Sequence, residues 1–428
     1  MKQEKDHEAG GHTDLAERRR LKMRRRLRQT VCLLLALLLT AGTLPASVLA
    51  YSDPREQAHG ISYIQTPSGR YLIWSDQYGR KSANGSWTHD IYALPVTKAG
   101  LRNPEANKQT LVSAHEAQEP ASASVAGDGS VFLTFEDGNA TTYRGHDYTL
   151  AQRYAIFSSS LRPEAPYDPQ KTTVKWGGHS GHSASTKKHH IVFYSEGWVD
   201  GGADHGLGTG DDVWVSSFSA NGRGKRTTTV SVGKKHRDWW PMIAASESKA
   251  FLVWQRYVPR ARDAQLCCAV YDPSTGRKGR TRILKRRTAY YCYQVQYAAP
   301  IKRFVLTLTD RKGKGACYLF DSKGNVTARK TGLPGFVREA SPAVINGSAS
   351  VRLCYPRTKG GAAYLRVTGN SVRYLGVRTR GRYIDTGKAA RTWSIRGTAG
   401  FYDRTARTVC FATLGKTRLR VAVFPAAL

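Results

Sequence analysis

Four short loops hold the side chains in this sequence best suited to chemistry. They read HEAQEP (115–120), WGGHSGHSAS (176–185), KKHRDWWP (234–241) and GFVREASP (335–342). Carboxylates and imidazoles can share acid and base work on a sugar ring, in hydrolysis or in β-elimination, when their separations and pKa values suit. His115, Glu119, His179, His236 and Asp238 are the catalytic candidates on that ground. Arg237 and Arg338 could hold an anionic group, with Trp240 and Glu339 beside them as further ligand contacts. The same acids and arginines could instead tie neighbouring sheets together by salt bridges. Adjacent residues on a strand point to opposite faces, so one of Trp239 and Trp240 is expected to pack in the interior while the other reaches a ligand.

Metal chemistry has a thinner basis. His179 and His182 stand three residues apart, but no cysteine or carboxylate completes a recognisable transition-metal motif. The loop VDGGADHGLGTGDD (199–212) offers Asp200, Asp204, Asp211 and Asp212 among glycines, the oxygen ligands on pliant backbone that calcium uses. It departs from the twelve-position helix-loop-helix pattern, and a long solvated turn explains it as well. No cofactor is expected, calcium being the one candidate ion.

The elements that must position these loops recur along the chain. YLIWSDQYGRKSANGSWTHDIYALPVTKAG (71–100) is an apolar run, a polar loop, a second run and a turn; the order returns at 190–222, 251–276 and 304–324. Each run has strand length and β-branched or aromatic content, and each closing glycine is a turn signal. A further strand leads each pair: Pro120, Pro241 and Pro342 lie 11, ten and nine residues before Val131, Phe251 and Val351. A fourth follows the turn, as in RTTTVSV or TRILKR. Such four-stranded meanders cannot bury both faces alone, and stacking them around an axis gives a β-propeller. Units fall at about 60–110, 111–174, 175–235, 236–288, 289–335, 336–385 and 386–428, with 138–175 the least regular. The fold class expected is thus all-β, a seven-bladed β-propeller of four-stranded antiparallel blades, six or eight being the neighbouring counts. The strand near 61–65 could complete the last blade and close the ring.

LIWSDQYGR followed by HDIYALPVTKAG, and more weakly DDVWVSSFSANG and CAVYDPSTG, resemble the blades of secreted bacterial β-propellers that repeat a DIYAQRxDxxG phrase. The resemblance spans most of 60–330 as a pattern and fades toward the carboxyl end. It implies a fold shared by binding modules, scaffolds and polysaccharide-acting enzymes, not one activity. The pattern is also akin to sialidase-like propellers, but their repeated S-x-D-x-G-x-x-W box is missing.

Charge is divided unevenly. Of the net +34, residues 29–255 carry 21 Lys or Arg against 20 acids, whereas 256–428 carry 35 against seven, an excess of +28. A one-sided basic field draws polyanions. The KRR triplet Lys285, Arg286 and Arg287 precedes TAYYCYQVQY, and RKGKG (311–315) and SVRYLGVRTRGRY (371–383) follow. Basic residues among tyrosines can meet phosphate and stack on rings. No helix-turn-helix, finger or RNA-binding signature accompanies them, so nucleic acid is not the expected partner. No Gly-rich phosphate loop, nucleophile elbow or HExxH is present, which leaves glycosidases and lyases as the enzyme classes still open.

RRRLKMRRRLR (18–28), the apolar run 31–39 and AGTLPASVLA (41–50) make residues 1–50 an export signal or an amino-terminal anchor, with 51–428 a single domain whose basic half begins near 256. The protein is expected to be secreted or held at the cell surface, monomeric, and without membrane contact beyond that segment. Six of the seven cysteines lie between Cys267 and Cys410 and could be bridged or be buried thiols. The expected function is binding of an anionic glycan or cell-wall polymer. A polysaccharide-acting hydrolase or lyase, and a protein-interaction platform, are the alternatives.

Overall fold

A strand that buries both faces reads as a continuous apolar run rather than an alternation. In the run 71–74, Leu72 and Trp74 pack against the carboxyl-terminal sheet, while Tyr71 and Ile73 pack the opposite way. The structure, a computed structural model, describes residues 60–427 except 82–86, 115, 139–140, 144–145, 149, 197–211, 233–235, 258–263, 385, 387–396 and 415–418. All fall in one unit, Arg55–Leu428. The export segment expected over 1–50 lies outside the described residues, as do His115, Asp200, Asp204 and Asp211.

The protein is all-β, built of antiparallel sheets of four to eight strands that follow one another along the chain, plus one isolated hairpin. The first sheet takes β1 (Ser62–Gln65), β2 (Arg70–Lys81), β3 (Trp87–Pro95) and β4 (Gln109–Val112) in order, with short helices α1 (Lys98–Arg102) and α2 (Pro104–Asn107) between the last two. The second is built on β5 (Ser122–Val125) and β6 (Val131–Asp137). The hairpin β7 (Thr141–Tyr143) and β8 (His146–Tyr148) then interrupts it before β9 (Ala151–Phe157), and both β10 (Pro163–Ala165) and β11 (Thr173–Trp176) pair with β9 through shifted registers. This is the segment expected to be least regular. The third takes β12 (Gly178–Ser185), β13 (His189–Glu196), β14 (Asp212–Ser219) and β15 (Arg226–Ser231) in order.

An eight-stranded sheet follows: β16 (Arg237–Ala245), β17 (Ala250–Tyr257), β18 (Ala264–Asp272), β19 (Arg277–Lys278), β20 (Arg282–Ala298), β21 (Arg303–Asp310), β22 (Lys314–Phe320) and β23 (Val326–Pro334). It is two meanders joined by one strand, since the first part of the 17-residue β20 pairs with β18 and its second part with β21. Next come β24 (Ala343–Asn346), β25 (Val351–Pro356), β26 (Ala362–Val367) and β27 (Val372–Arg378) in order. The last sheet holds β28 (Arg382–Ile384), β29 (Thr398–Asp403), β30 (Thr408–Leu414) and β31 (Leu419–Pro425) in the order β28-β31-β30-β29.

Two expectations about the ends are corrected here. The strand near 61–65 pairs with β2 inside the first sheet and does not complete the last one. That part is played by β28, placed with the preceding unit by its sequence position but hydrogen-bonded to β31.

Apolar clusters join each sheet to the next. Ile73 and Ile91 of the first meet Val131 and Leu133 of the second; Phe132 of the second meets Val192 and Tyr194 of the third. Phe193 of the third meets Trp254, and within the eight-stranded sheet Phe251 and Val253 meet Phe304 and Leu306. Leu319 meets Leu353, and Tyr364 meets Phe411. Leu72 and Trp74 then meet Phe401 and Val421, so the first sheet packs against the last. All six cysteines between Cys267 and Cys410 are free thiols, five of them buried. Burial pushes the thiols of Cys267, Cys268, Cys317 and Cys354 up to about 12, so these side chains act as small apolar packing groups.

Candidate functional site

The leading strands β1, β5, β12, β16, β24 and β29, with the second part of β20, line one cavity of about 790 Å³. That volume is of the size that takes a small-molecule or oligomeric ligand. Ser122, Ser183, Gln294 and Gln296 supply polar wall. Gln294 Oε1 and Gln296 Nε2 are buried with no hydrogen-bond partner among the described residues. Both residues are half-buried, so each presents part of its side chain to the cavity while these two atoms are turned away from it.

His182, Trp240 and Glu339 mark the leading end of the cavity, where the inner strands begin. The His182 ring meets the Trp240 indole edge-on at 5.8 Å, and its Nδ1 lies 3.1 Å from the Ser180 carbonyl. Trp240 in turn meets Tyr291 edge-on at 4.5 Å. Arg338 sits over the Tyr291 ring at 4.4 Å and brings its Nε to 3.3 Å from Glu339 Oε1. An indole, an imidazole and a carboxylate thereby line one end of the cavity, with the Arg338 guanidinium against the carboxylate.

A repeated backbone feature holds this mouth. Ser180, Trp240, Tyr291 and Glu339 have φ of 54°, 53°, 57° and 48°. Left-handed backbone is unfavourable for side chains of this size, costing about 1–3 kcal/mol at each position. Ser180, Trp240 and Tyr291 each stand two residues before the point where ladder pairing resumes, at His182, Met242 and Tyr293; a one-residue bulge breaks β12 and β16, and a longer break, from Thr288 to Tyr293, interrupts β20. Long-range partners fix them. The Gly181 N–H donates to Gln152 Oε1 at 3.0 Å, and the Tyr291 N–H donates to Gln255 Oε1 at 3.1 Å. Trp239 Nε1 donates to the Tyr291 hydroxyl at 3.0 Å, and the Glu339 N–H donates to the Tyr291 carbonyl at 3.1 Å.

The proposed catalytic set is only partly assembled. Asp238 is fully buried and accepts from Arg256 Nε at 2.8 Å and Trp254 Nε1 at 3.1 Å, with His236 Nδ1 at 3.2 Å. Burial opposes its charge, but the hydrogen bonds from His236 and Arg256 and the Arg256 charge outweigh burial and hold the carboxyl below the usual carboxylate range. Glu119 pairs with His89 at 2.9 Å. His179 is buried with Nδ1 3.1 Å from Ser180 Oγ and does not line the cavity, whereas His182 does. Arg237 is buried and stacked over Trp239 at 5.2 Å, away from the cavity wall.

Lys285, Arg286 and Arg287 lie on the first part of β20, apart from the cavity-lining residues 294–297 of the same strand. Lys285 lies 3.9 Å from Asp310, and Arg286 and Arg287 are exposed. Asp212 begins β14 opposite Glu196, and the described residues contain no cluster of three metal-ligating side chains. Sequence reasoning missed Tyr291, Gln294 and Gln296, which lay inside the TAYYCYQVQY stretch read for its tyrosines and neighbouring cations.

No family model matches the sequence, and neither does any curated protein. Among solved structures, a lectin from Burkholderia pseudomallei is similar over 87% of this chain and 97% of its own, with 11% identity and a TM-score of 0.55. A polysaccharide lyase, an ulvanlyase, is similar over 87% and 95% with 9% identity and a TM-score of 0.48. A lectin in complex with alpha methyl fucoside covers 72% and 94%, with 14% identity and a TM-score of 0.38. At 11% identity the likeness to the Burkholderia pseudomallei lectin is one of fold.

Proposed function

We propose that the sheets are the blades of one seven-bladed β-propeller, the eight-stranded sheet contributing two, and that the protein binds carbohydrate at the leading mouth of its central cavity. The blade reading is supported by the seven inner strand segments that share one cavity and by the cluster that packs the first sheet on the last. The observation that carries the binding reading is that Trp240, His182, Gln294 and Gln296 all line one cavity. An indole and an imidazole can pack on the apolar face of a sugar, and glutamine amides can meet its hydroxyls. A lectin among the structures of similar fold agrees with this ligand class.

The partner in this reading is an anionic glycan or cell-wall polymer, drawn by the basic half of the chain. Residues 51–428 form the single propeller domain, and residues 1–50 export the protein or hold it at the membrane. Binding ranks ahead of turnover because the buried Asp238 is committed to Arg256 and Trp254. The His236–Asp238 pair at 3.2 Å is the one arrangement that favours the second reading, a hydrolase or lyase with an imidazole oriented by a buried carboxylate.

A glycan array at low and physiological salt, with bound polymers then examined for shortened or unsaturated products, separates the two. Binding that leaves the polymer intact, and that weakens about tenfold in His182→Ala or Gln296→Ala, is expected when one well-placed side chain is removed. Cleaved product that disappears in His236→Ala would establish the enzyme instead.

A further inference from the structure

The outer strands of the basic half form a second surface, separate from the cavity. They are the 282–287 part of β20, then β23, β27 and β28, and together they hold seven arginines and two lysines without a single Asp or Glu. The outer strands of the first half are different: β4 carries no charge, β10 a glutamate, β11 one lysine, and β15 one arginine.

Hydrogen bonds connect the first three of these edges. Arg282 donates to the Gly324 carbonyl at 2.8 Å and to Asn325 Oδ1 at 3.1 Å, which sets the start of the β20 segment beside the start of β23. The Thr327 hydroxyl of β23 donates to the Gly369 carbonyl, in the turn before β27, at 3.3 Å. Only residues 379–381 separate β27 from β28.

Lysine or arginine on an edge strand ordinarily serves to keep edges from pairing. That role gives no reason to place apolar side chains in solvent beside the cations. Yet Ile283, Val326, Tyr374 and Tyr383 lie one on each of these four segments, and they are four of the five large exposed hydrophobic side chains among the described residues. Cations interleaved with exposed apolar groups, on strands that carry no acid and with Asp310 beside Lys285, describe a contact surface. Its arginines suit phosphate, whose oxygens accept the paired N–H groups of a guanidinium.

We propose that this belt binds a linear, non-nucleic phosphate polymer along its length. The four edges belong to three sheets, and on the propeller reading the belt is curved, so a flexible chain can follow it where a flat bilayer would touch only part. Single-stranded nucleic acid is disfavoured because its binding relies on a row of aromatic platforms, and the belt has two exposed tyrosines.

Inorganic polyphosphate is the test probe, since it contains no sugar and so reports on the belt independently of the cavity. Its affinity for the full protein would be measured from about 50 to 200 mM salt. The variant Arg329→Gln/Lys330→Gln/Arg373→Gln/Arg382→Gln is compared with Lys98→Gln/Arg162→Gln/Lys188→Gln/Arg223→Gln, which removes the same charge from exposed positions in the first half.

The belt variant is expected to bind at least tenfold more weakly and to lower the slope of log affinity against log salt by about 3, roughly 0.7 for each phosphate that is no longer neutralised. The control variant should keep both values near those of the parent. Arg329→Gln and Arg373→Gln alone should each lower the slope by about 0.7, which keeps the test decisive if the fourfold variant folds poorly. Equal effects in both fourfold variants would reduce the result to net charge and overturn the proposal. Tighter binding to phosphatidylglycerol vesicles, or to single-stranded DNA of equal charge, would overturn it as well.

Discussion

At the scale of single residues, the side chains that look most reactive in the sequence divide into those that face the cavity and those consumed in holding the sheets. Asp238 belongs to the second group, because Arg256 and Trp254 take its oxygens in a fully buried site. His190 is a clearer case. Its ring stacks on Phe132 with centroids 4.7 Å apart, and its nitrogens lie 2.9 Å from Ser185 Oγ and 2.9 Å from the Ala220 carbonyl. Burial pushes its pKa down from 6.5 to about 4, against the opposing pull of the Ala220 carbonyl and of Asp128. The folded protein therefore keeps His190 neutral, and the unfolded chain takes up the proton first as pH falls. Stability from this residue is complete above pH 6.5 and is lost as pH falls from there to about 4, by about 3 kcal/mol. Urea unfolding at pH 7 and pH 4 should show a larger loss in the parent than in His190→Gln, by about that amount; equal losses would contradict it.

At the scale of elements, breaks in the ladder near the start of β12 and β16 and within β20 shape the site. Trp239 and Trp240 are both buried in one apolar cluster, with Trp240 also lining the cavity and Trp239 donating to the Tyr291 hydroxyl, while the ladder breaks between Trp239 and Met242. The runs, turns and leading strands were legible because each depends on residues a few positions apart. The bulges were not, since Gln152 and Gln255, which hold them, lie 29 and 36 residues from their partners. The pairing of β28 with β31 was hidden for the same reason: nothing near 382–384 indicates a partner about 40 residues on. Close packing of neighbouring inner strands also requires backbone contact at one glycine. The Gly400 N–H donates to the Ser341 carbonyl at 3.0 Å, and a Cβ there would stand 2.5 Å from the Ala343 nitrogen. Gly400→Ala should destabilise the protein by about 2 kcal/mol in urea unfolding, as overpacking of a tight contact does; an unchanged midpoint would show that β24 and β29 can separate freely.

At the scale of the whole molecule, six apolar clusters bind one sheet to another and a seventh packs the two halves of the eight-stranded sheet, while the cluster of Leu72, Trp74, Phe401 and Val421 joins the first sheet to the last. The stacked rings of Tyr63 and Phe401, 5.2 Å apart, repeat that junction at the inner strands. Repeat order made this architecture readable from 60 to 335, where apolar runs and glycine turns recur, while the site had to wait for the convergence of strands that share no local motif. Charge adds a division of labour to the proposal, with sugar chemistry at the mouth and anion chemistry on the outer edges of the basic half. The most direct test is a crystal structure of the protein with the oligosaccharide that binds best. The account predicts a sugar ring inside the cavity, touching His182 and Trp240 and hydrogen-bonded to Gln294 or Gln296; a sugar lodged between sheets or on the outer strands, with those four side chains untouched, would contradict it.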